Sequence, residues 1–267
     1  MGRLREAFDR AAAEERAALV VYLCAGDPDL ETTVRLMRAI AEAGADVIEV
    51  GMPFSDPTAD GPVIQRASER ALSAGTTMKG VLGAVRALRA DASVSPDVGV
   101  VLFGYYNPII AFGEERLARE AAEAGVDGLL VVDLPPEESA PLVGTLRSAG
   151  LDFVPLVAPT TPDERMDRIA ESADGFLYYV SLTGVTGARA DLDAAGARAR
   201  VLHERTGKPV AVGFGVKTPD DARKLAARAQ GVVVGSAICL EIEGSQEPDE
   251  AVRRVGELTA ALRDACG

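Results

Sequence analysis

Histidine is almost absent from this chain: among 267 residues only His203 is present. It sits in Leu202-His203-Glu204-Arg205, near the end of a helical pattern, where a solvated or helix-capping role suits it. Without a second histidine, Ser-His-Asp, Cys-His and histidine-rich metal sites cannot be assembled. Lysine is scarce too. Lys79 and Lys224 lie in helical patterns and Lys208 precedes a strand, so Lys217, after Gly215-Val216, is the one lysine placed to form a Schiff base. Acid–base work therefore falls to carboxylates and tyrosines.

Two carboxylates stand out. Glu49 lies inside the apolar run Asp46-Val47-Ile48-Glu49-Val50-Gly51, where strand alternation puts it on the face of Val47. A carboxylate buried there costs several kcal/mol unless paired or protonated. It is either an ion-paired side chain or a general acid/base whose pKa is raised by apolar walls. The loop from Met52 to Pro62 that follows carries Asp56 and Asp60 among three prolines. Both acids suit turn or cap positions, and Asp60 also has the reach for a catalytic role. Thr183-Gly184-Val185-Thr186-Gly187, Gly213-Phe214-Gly215 and Gly235-Ser236 each follow a strand-like run and resemble phosphate cradles. Glycine lets the backbone approach, and a helix N-terminus offers N–H donors and a positive dipole.

These residues need a scaffold that brings them together. The chain alternates short β-branched runs with longer Ala/Arg/Glu stretches of helical period. Strands are predicted at Leu19–Cys24, Val47–Val50, Val98–Phe103, Gly128–Val132, Phe153–Val157, Phe176–Val180, Val210–Gly213 and Val232–Val234. Helices are predicted at Leu30–Ala43, Gly61–Ala74, Thr77–Ala90, Glu114–Ala124, Pro136–Ala149, Pro162–Ala173, Leu192–Thr206, Pro219–Ala229 and Pro248–Ala265. Gly44, Gly125 and Gly150 close helices, with Gly175 a looser case. Asp27-Pro28, Asp133-Leu134-Pro135, Thr161-Pro162 and Thr218-Pro219 supply helix starts. Eight strand–helix units imply parallel strands and an α/β, single-domain (β/α)8 TIM barrel over residues 1–267, with an extra N-terminal helix. An open doubly wound sheet is the alternative. In a barrel the reactive groups gather at the C-terminal ends of the strands, and phosphate binds after the seventh and eighth.

Composition narrows the field further. A net charge of −13, from 41 acids against 28 bases, disfavours nucleic-acid partners. No run of uncharged apolar residues is long enough for a membrane span. Three cysteines without CxxC spacing, and no secretory signal, point to a reducing, cytoplasmic setting.

The stretch Glu49-Val50-Gly51-Met52-Pro53-Phe54-Ser55-Asp56-Pro57, continuing through Ala59-Asp60-Gly61-Pro62-Val63-Ile64-Gln65, closely resembles the signature of the tryptophan synthase α-chain family. The likeness extends over Gly26-Asp27-Pro28, Tyr105-Tyr106-Asn107-Pro108, Asp133 to Glu138, Gly184-Val185-Thr186-Gly187, Gly213-Phe214-Gly215 and Gly235-Ser236-Ala237, in order along the whole chain. The resemblance implies a lyase that splits indole-3-glycerol phosphate into indole and glyceraldehyde 3-phosphate. It assigns proton transfer at indole C3 to Glu49, charge stabilisation at the indole N–H to Asp60, and a place near the reacting centre to Tyr178. Phosphate is assigned to Gly187, Gly215, Gly235 and Ser236, and the indole pocket to Tyr22, Phe103, Leu130, Leu156 and Phe214. Tyr22 stands where some relatives have Phe. Asp56 and Thr186 fall on mobile loops. The resemblance further implies no metal or cofactor in this chain, and a β chain carrying pyridoxal phosphate in an α2β2 assembly. That partner is expected to dock on the barrel's C-terminal face and raise activity by ordering the loops Pro53–Asp60 and Thr183–Leu192. A phosphosugar isomerase on the same barrel, and a non-catalytic activating subunit, are the competing readings.

Overall fold

The structure, a computed structural model, describes residues 2–180, 191–213 and 215–267. The chain opens with helix α1 (Arg3–Ala13) and strand β1 (Ala18–Cys24), followed by α2 (Leu30–Glu42), β2 (Val47–Gly51), α3 (Pro62–Ser73) and α4 (Met78–Arg89). Next come β3 (Gly99–Gly104), α5 (Tyr106–Phe112), α6 (Glu114–Ala124), β4 (Gly128–Val131) and α7 (Ala140–Ser148). Two short strands, β5 (Asp152–Phe153) and β6 (Leu156–Val157), lead into α8 (Asp163–Ser172) and β7 (Leu177–Val180). The chain ends with α9 (Leu192–Thr206), β8 (Val210–Gly213), α10 (Pro219–Ala226), β9 (Gly231–Val234), α11 (Ser236–Glu243) and α12 (Pro248–Ala265).

The described strands pair in parallel throughout, in the order β5-β4-β3-β2-β1-β9-β8-β7-β6. The two ends of that sheet, β5 and β6, are pieces of one extended stretch. The sequence predicts a single strand there, and Pro155 splits it, because proline has no N–H to give the ladder. The N–H of Val154 donates to Leu129 O (3.0 Å), while Pro155 O accepts from the N–H of Tyr178 (3.1 Å). The first half therefore belongs to β4 and the second to β7, and the stretch itself closes the barrel.

Alternation along the strands sorts the core into two layers. Ala18, Val20 and Tyr22 of β1, Val47 of β2, Val101 and Phe103 of β3, Leu130 of β4, Tyr178 of β7 and Val233 of β9 pack together inside. Their neighbours in sequence, such as Leu19, Ile48, Leu102, Leu129, Leu177 and Val232, pack outward with the helices. Register sets Tyr22, Glu49 and Val101 side by side across β1, β2 and β3. The predicted N-terminal helix is present as α1, and it plugs the barrel's lower end with Leu4 and Phe8, the latter stacked on Phe176 at 4.9 Å. The fit needs glycine at the start of β4, since a Cβ on Gly128 would lie 2.8 Å from Leu4.

Several predicted boundaries change for local reasons. Gly44, Gly125 and Gly150 do take positive φ after their helices. Asp27 does not start α2. Asp29 is the cap, accepting from the N–H of Thr32 (2.7 Å). Asp27 instead is fully buried and accepts two bonds from Arg70 of α3 (2.8 and 2.7 Å). Asp133 accepts from the N–H of Tyr106 (2.8 Å) at the start of α5. Helices α5 and α11 lie outside the predicted set. Thr218 caps α10 as expected, in a reciprocal box with Asp221.

Candidate active site

At the C-terminal end of the barrel, side chains from β1, β2, β3 and β7 enclose a cavity of about 440 Å³ with the start of α3 and the loops after β8 and β9. Tyr22, Glu49, Asp60, Phe103, Tyr178, Gly215, Gly235 and Ser236 all line it. The Tyr22 and Phe103 rings meet edge to face, 5.1 Å apart, forming one apolar wall. Tyr178 rises from the opposite side, and Gly213 makes room for it: a Cβ there would come within 2.1 Å of the Tyr178 hydroxyl. Burial pushes the phenols of Tyr22 and Tyr178 far above their ordinary range, so both are neutral hydroxyls.

Glu49 is fully buried in β2, and among the described residues neither carboxyl oxygen has a hydrogen-bond partner. Burial drives its pKa up to about 8. At neutral pH it is therefore a carboxylic acid with a proton to give. Asp60 meets the same cavity from the loop before α3. Burial raises its pKa to about 6, opposed by the hydroxyl of Tyr105, which donates to Asp60 Oδ2 at 3.0 Å. Near pH 7 one carboxyl is protonated and the other charged. That division is what a proton donor working beside an anionic stabiliser requires.

Gly235 and Ser236 open α11, and they line the cavity together with Gly215 and Lys217. Below, the thiols of Cys24 and Cys239 are buried and held protonated. Among the described residues no group of three His, Cys, Asp or Glu side chains is arranged to hold a metal ion.

Not every residue named in the sequence reading meets here. Leu130 is buried deeper in the inner core, beside Phe103 in register, and borders no part of the cavity. Leu156 lines an adjoining cleft of about 830 Å³ that shares Asp60, Gly61 and Phe103 with the cavity but not Glu49. Asp56 is exposed on the loop and accepts from the Ser55 hydroxyl (2.5 Å), away from the cavity. Thr186, Gly187 and Phe214 lie outside the described residues.

The model of the tryptophan synthase alpha chain family matches residues 8–266. The chain belongs to that family. It is 48% identical to the tryptophan synthase alpha chain of Geobacter sulfurreducens, with both chains covered in full. Among solved structures, the subunit alpha of Legionella pneumophila str. Paris superposes with a TM-score of 0.89 at 40% identity, over 100% of this chain and 98% of that one. Tryptophan synthase from M. tuberculosis, in an aminoacrylate-bound form, gives 0.88 at 34% identity over the full length of both chains. Membership accounts for the parallel barrel and for the order of the motifs along it. It does not by itself account for Tyr105, whose hydroxyl donates to Asp60 Oδ2. Nothing in Tyr105-Tyr106-Asn107-Pro108 announces a contact with a residue 45 positions earlier.

Proposed function

We propose that this family member is the lyase subunit that cleaves indole-3-glycerol phosphate to indole and glyceraldehyde 3-phosphate. The observation that carries the reading is Glu49, a fully buried carboxyl without a partner among the described residues, in a cavity it shares with a second carboxylate. The Glu49 acid protonates indole C3, which turns the ring into an indolenine with positive charge at nitrogen. Asp60, charged, stabilises that N–H. The Glu49 carboxylate then removes the proton of the glycerol hydroxyl next to the ring. The bond from C3 to the glycerol chain breaks, its electrons return to the ring, and the hydroxyl carbon leaves as an aldehyde. Every step is a proton transfer or a bond heterolysis, so the reading assigns this chain no metal and no cofactor.

Tyr22, Phe103 and Tyr178 supply apolar walls for the indole, and Gly215, Gly235 and Ser236, with Gly187, supply donors for the phosphate. We assign pyridoxal phosphate to a β chain that docks on the C-terminal face in an α2β2 complex, where it can press on the Pro53–Asp60 loop. Three buried free cysteines suit a reducing cytoplasm, and no helix of the described residues is long and apolar enough to cross a membrane.

Incubation of the purified chain with indole-3-glycerol phosphate, followed by assay of indole and glyceraldehyde 3-phosphate, tests the reaction. Stoichiometric release of both is expected. Absence of indole, with and without a β chain, would refute it. Adding the β chain with serine omitted, so that indole is not consumed, should raise the rate of aldehyde release. A partner can do this only by favouring the closed loops over the open ones, and equal rates would dismiss the activation.

A further inference from the structure

Asp60 belongs to a loop with no helix or strand of its own, yet its carboxylate must hold one direction. The fixed point is Tyr105, at the end of β3. Its ring is buried against Phe54, 5.2 Å between centroids, and Phe54 is clamped in turn by the Ser68 hydroxyl of α3, which accepts from its N–H (2.9 Å) and donates to its carbonyl (3.2 Å). The Tyr105 hydroxyl accepts from the N–H of Ala59 (2.9 Å) and donates to Asp60 Oδ2 (3.0 Å). One hydroxyl thus fixes the loop backbone and the carboxylate together, while Gln65 donates to the Asp60 carbonyl (2.8 Å) from α3.

We propose that Tyr105 is the positioning residue for Asp60: its hydroxyl, oriented by the Ala59 amide, holds the carboxylate in its working rotamer and in its charged form. This rests on the lyase reading for the part that Asp60 plays in turnover. The bond that Tyr105 donates is available only while Asp60 Oδ2 is an acceptor, so it favours the anion over the acid. The groups facing Asp60 from other elements do not replace it. Glu49 is uncharged at neutral pH, and Tyr22 and Tyr178 are neutral phenols. Lys217 stands across the cavity without an ion pair to Asp60, and Asp133 and Arg165 line the adjoining cleft, where Arg165 is paired with Glu137. The buried thiols of Cys24 and Cys239 are protonated. Tyr105 is thus the side-chain donor on the Asp60 carboxylate among the described residues.

The test is Tyr105→Phe, which keeps the ring and removes only the hydroxyl. The acid limb of the kcat/KM profile should move up by roughly one pH unit while the alkaline limb stays in place, with kcat falling about tenfold at the optimum. A residue that merely supports the fold would lower the amplitude without moving one limb alone. In an Asp60→Asn background the same change should cost nothing further, because both act through one contact. The 13C-carboxyl titration of Asp60 needs no turnover, so it decides the proposal even if the lyase reading fails. Its midpoint should rise in Tyr105→Phe and fall with 3-fluorotyrosine, a stronger donor, at position 105. The fluorinated protein also covers a Phe variant that does not fold. An Asp60 midpoint that ignores the hydroxyl, or additive losses in the double variant, would overturn the proposal.

Discussion

Two pairs of carboxylates, one pair at each end of the barrel, are treated in opposite ways. At the lower end, Asp46 accepts two bonds from Arg16 (2.6 and 2.8 Å) and one from the N–H of Leu19 (2.8 Å). Asp127 is held by Arg3, by Arg89 (2.7 Å) and by the N–H of Val100 (2.8 Å). Each of these carboxylates ties the start of one strand to its neighbour. At the upper end, among the described residues, Glu49 has no partner and Asp60 has one hydroxyl. A fully partnered carboxylate is fixed in place and reinforces the frame. An unpartnered one remains free to give and take a proton, and the frame has to bear the cost. Asp46 and Asp127, like the Arg70-paired Asp27 at the upper end, hold the frame, while Glu49 and Asp60 are left to the chemistry we propose, at the end where barrels place it.

This contrast can be attacked from either end. Glu49→Gln should have the largest effect on turnover, about a thousandfold loss or more in kcat, because an amide of the same shape cannot shuttle a proton. Binding of glycerol phosphate, measured by calorimetry, should be unchanged. Arg16→Met should do the reverse. It leaves Asp46 buried with its bidentate partner gone, a loss of about 3–5 kcal/mol in urea unfolding. The kcat per folded molecule should stay at the wild-type value. If Arg16→Met lowered kcat as strongly as Glu49→Gln, the division between the ends would be wrong.

Between these extremes lies the pH dependence of kcat/KM for indole-3-glycerol phosphate. The proposed mechanism needs Asp60 charged and Glu49 protonated. It should fall below about pH 6, as Asp60 takes up a proton, and again above about pH 8, as Glu49 loses one. A profile still rising at pH 9 would show that the assignments are reversed or that Glu49 works as its anion. The smallest effect belongs to a contact at neither end. Asp29→Ala removes the α2 cap and should cost about 1 kcal/mol in unfolding with no change in kcat.

The same contrast explains what could be read from the sequence. Alternation within Val47-Ile48-Glu49 puts a carboxylate on the buried face of Val47, and that inference needs only the neighbours of Glu49. The strand–helix rhythm and the glycine helix ends are equally local, and the barrel followed from them. What sequence did not show depends on contacts far along the chain. Tyr106-Asn107-Pro108 is a poor helix former, yet α5 begins there because Asp133, 27 residues later, caps its first N–H. Asp27 looked like a cap and is an ion-pair partner, because Arg70 reaches it from 43 positions away. Pro155 sits in a strand-like run, and only the barrel's closure shows that the strand must change partners there. Tyr105 stayed unassigned for the same reason, since its meaning lies in a loop that folds over it.

The most direct test of the central claim, that Glu49 is an uncompensated buried acid, requires no substrate. Urea unfolding of the wild-type protein and of Glu49→Gln, from pH 4 to pH 9, measures the protonation state of Glu49 through its linkage to stability. The folded pKa, about 8, lies above the ordinary 4.5, so the native state binds the extra proton. The wild type should match the variant near pH 4, where Glu49 is protonated in both folded and unfolded chains. It should then lose stability relative to the variant as pH rises from 4.5 to 8, the gap reaching on the order of 4 kcal/mol and levelling above that. A gap that does not change with pH would mean that Glu49 titrates in the folded protein as it does in the unfolded chain, and the account of the upper end would fail.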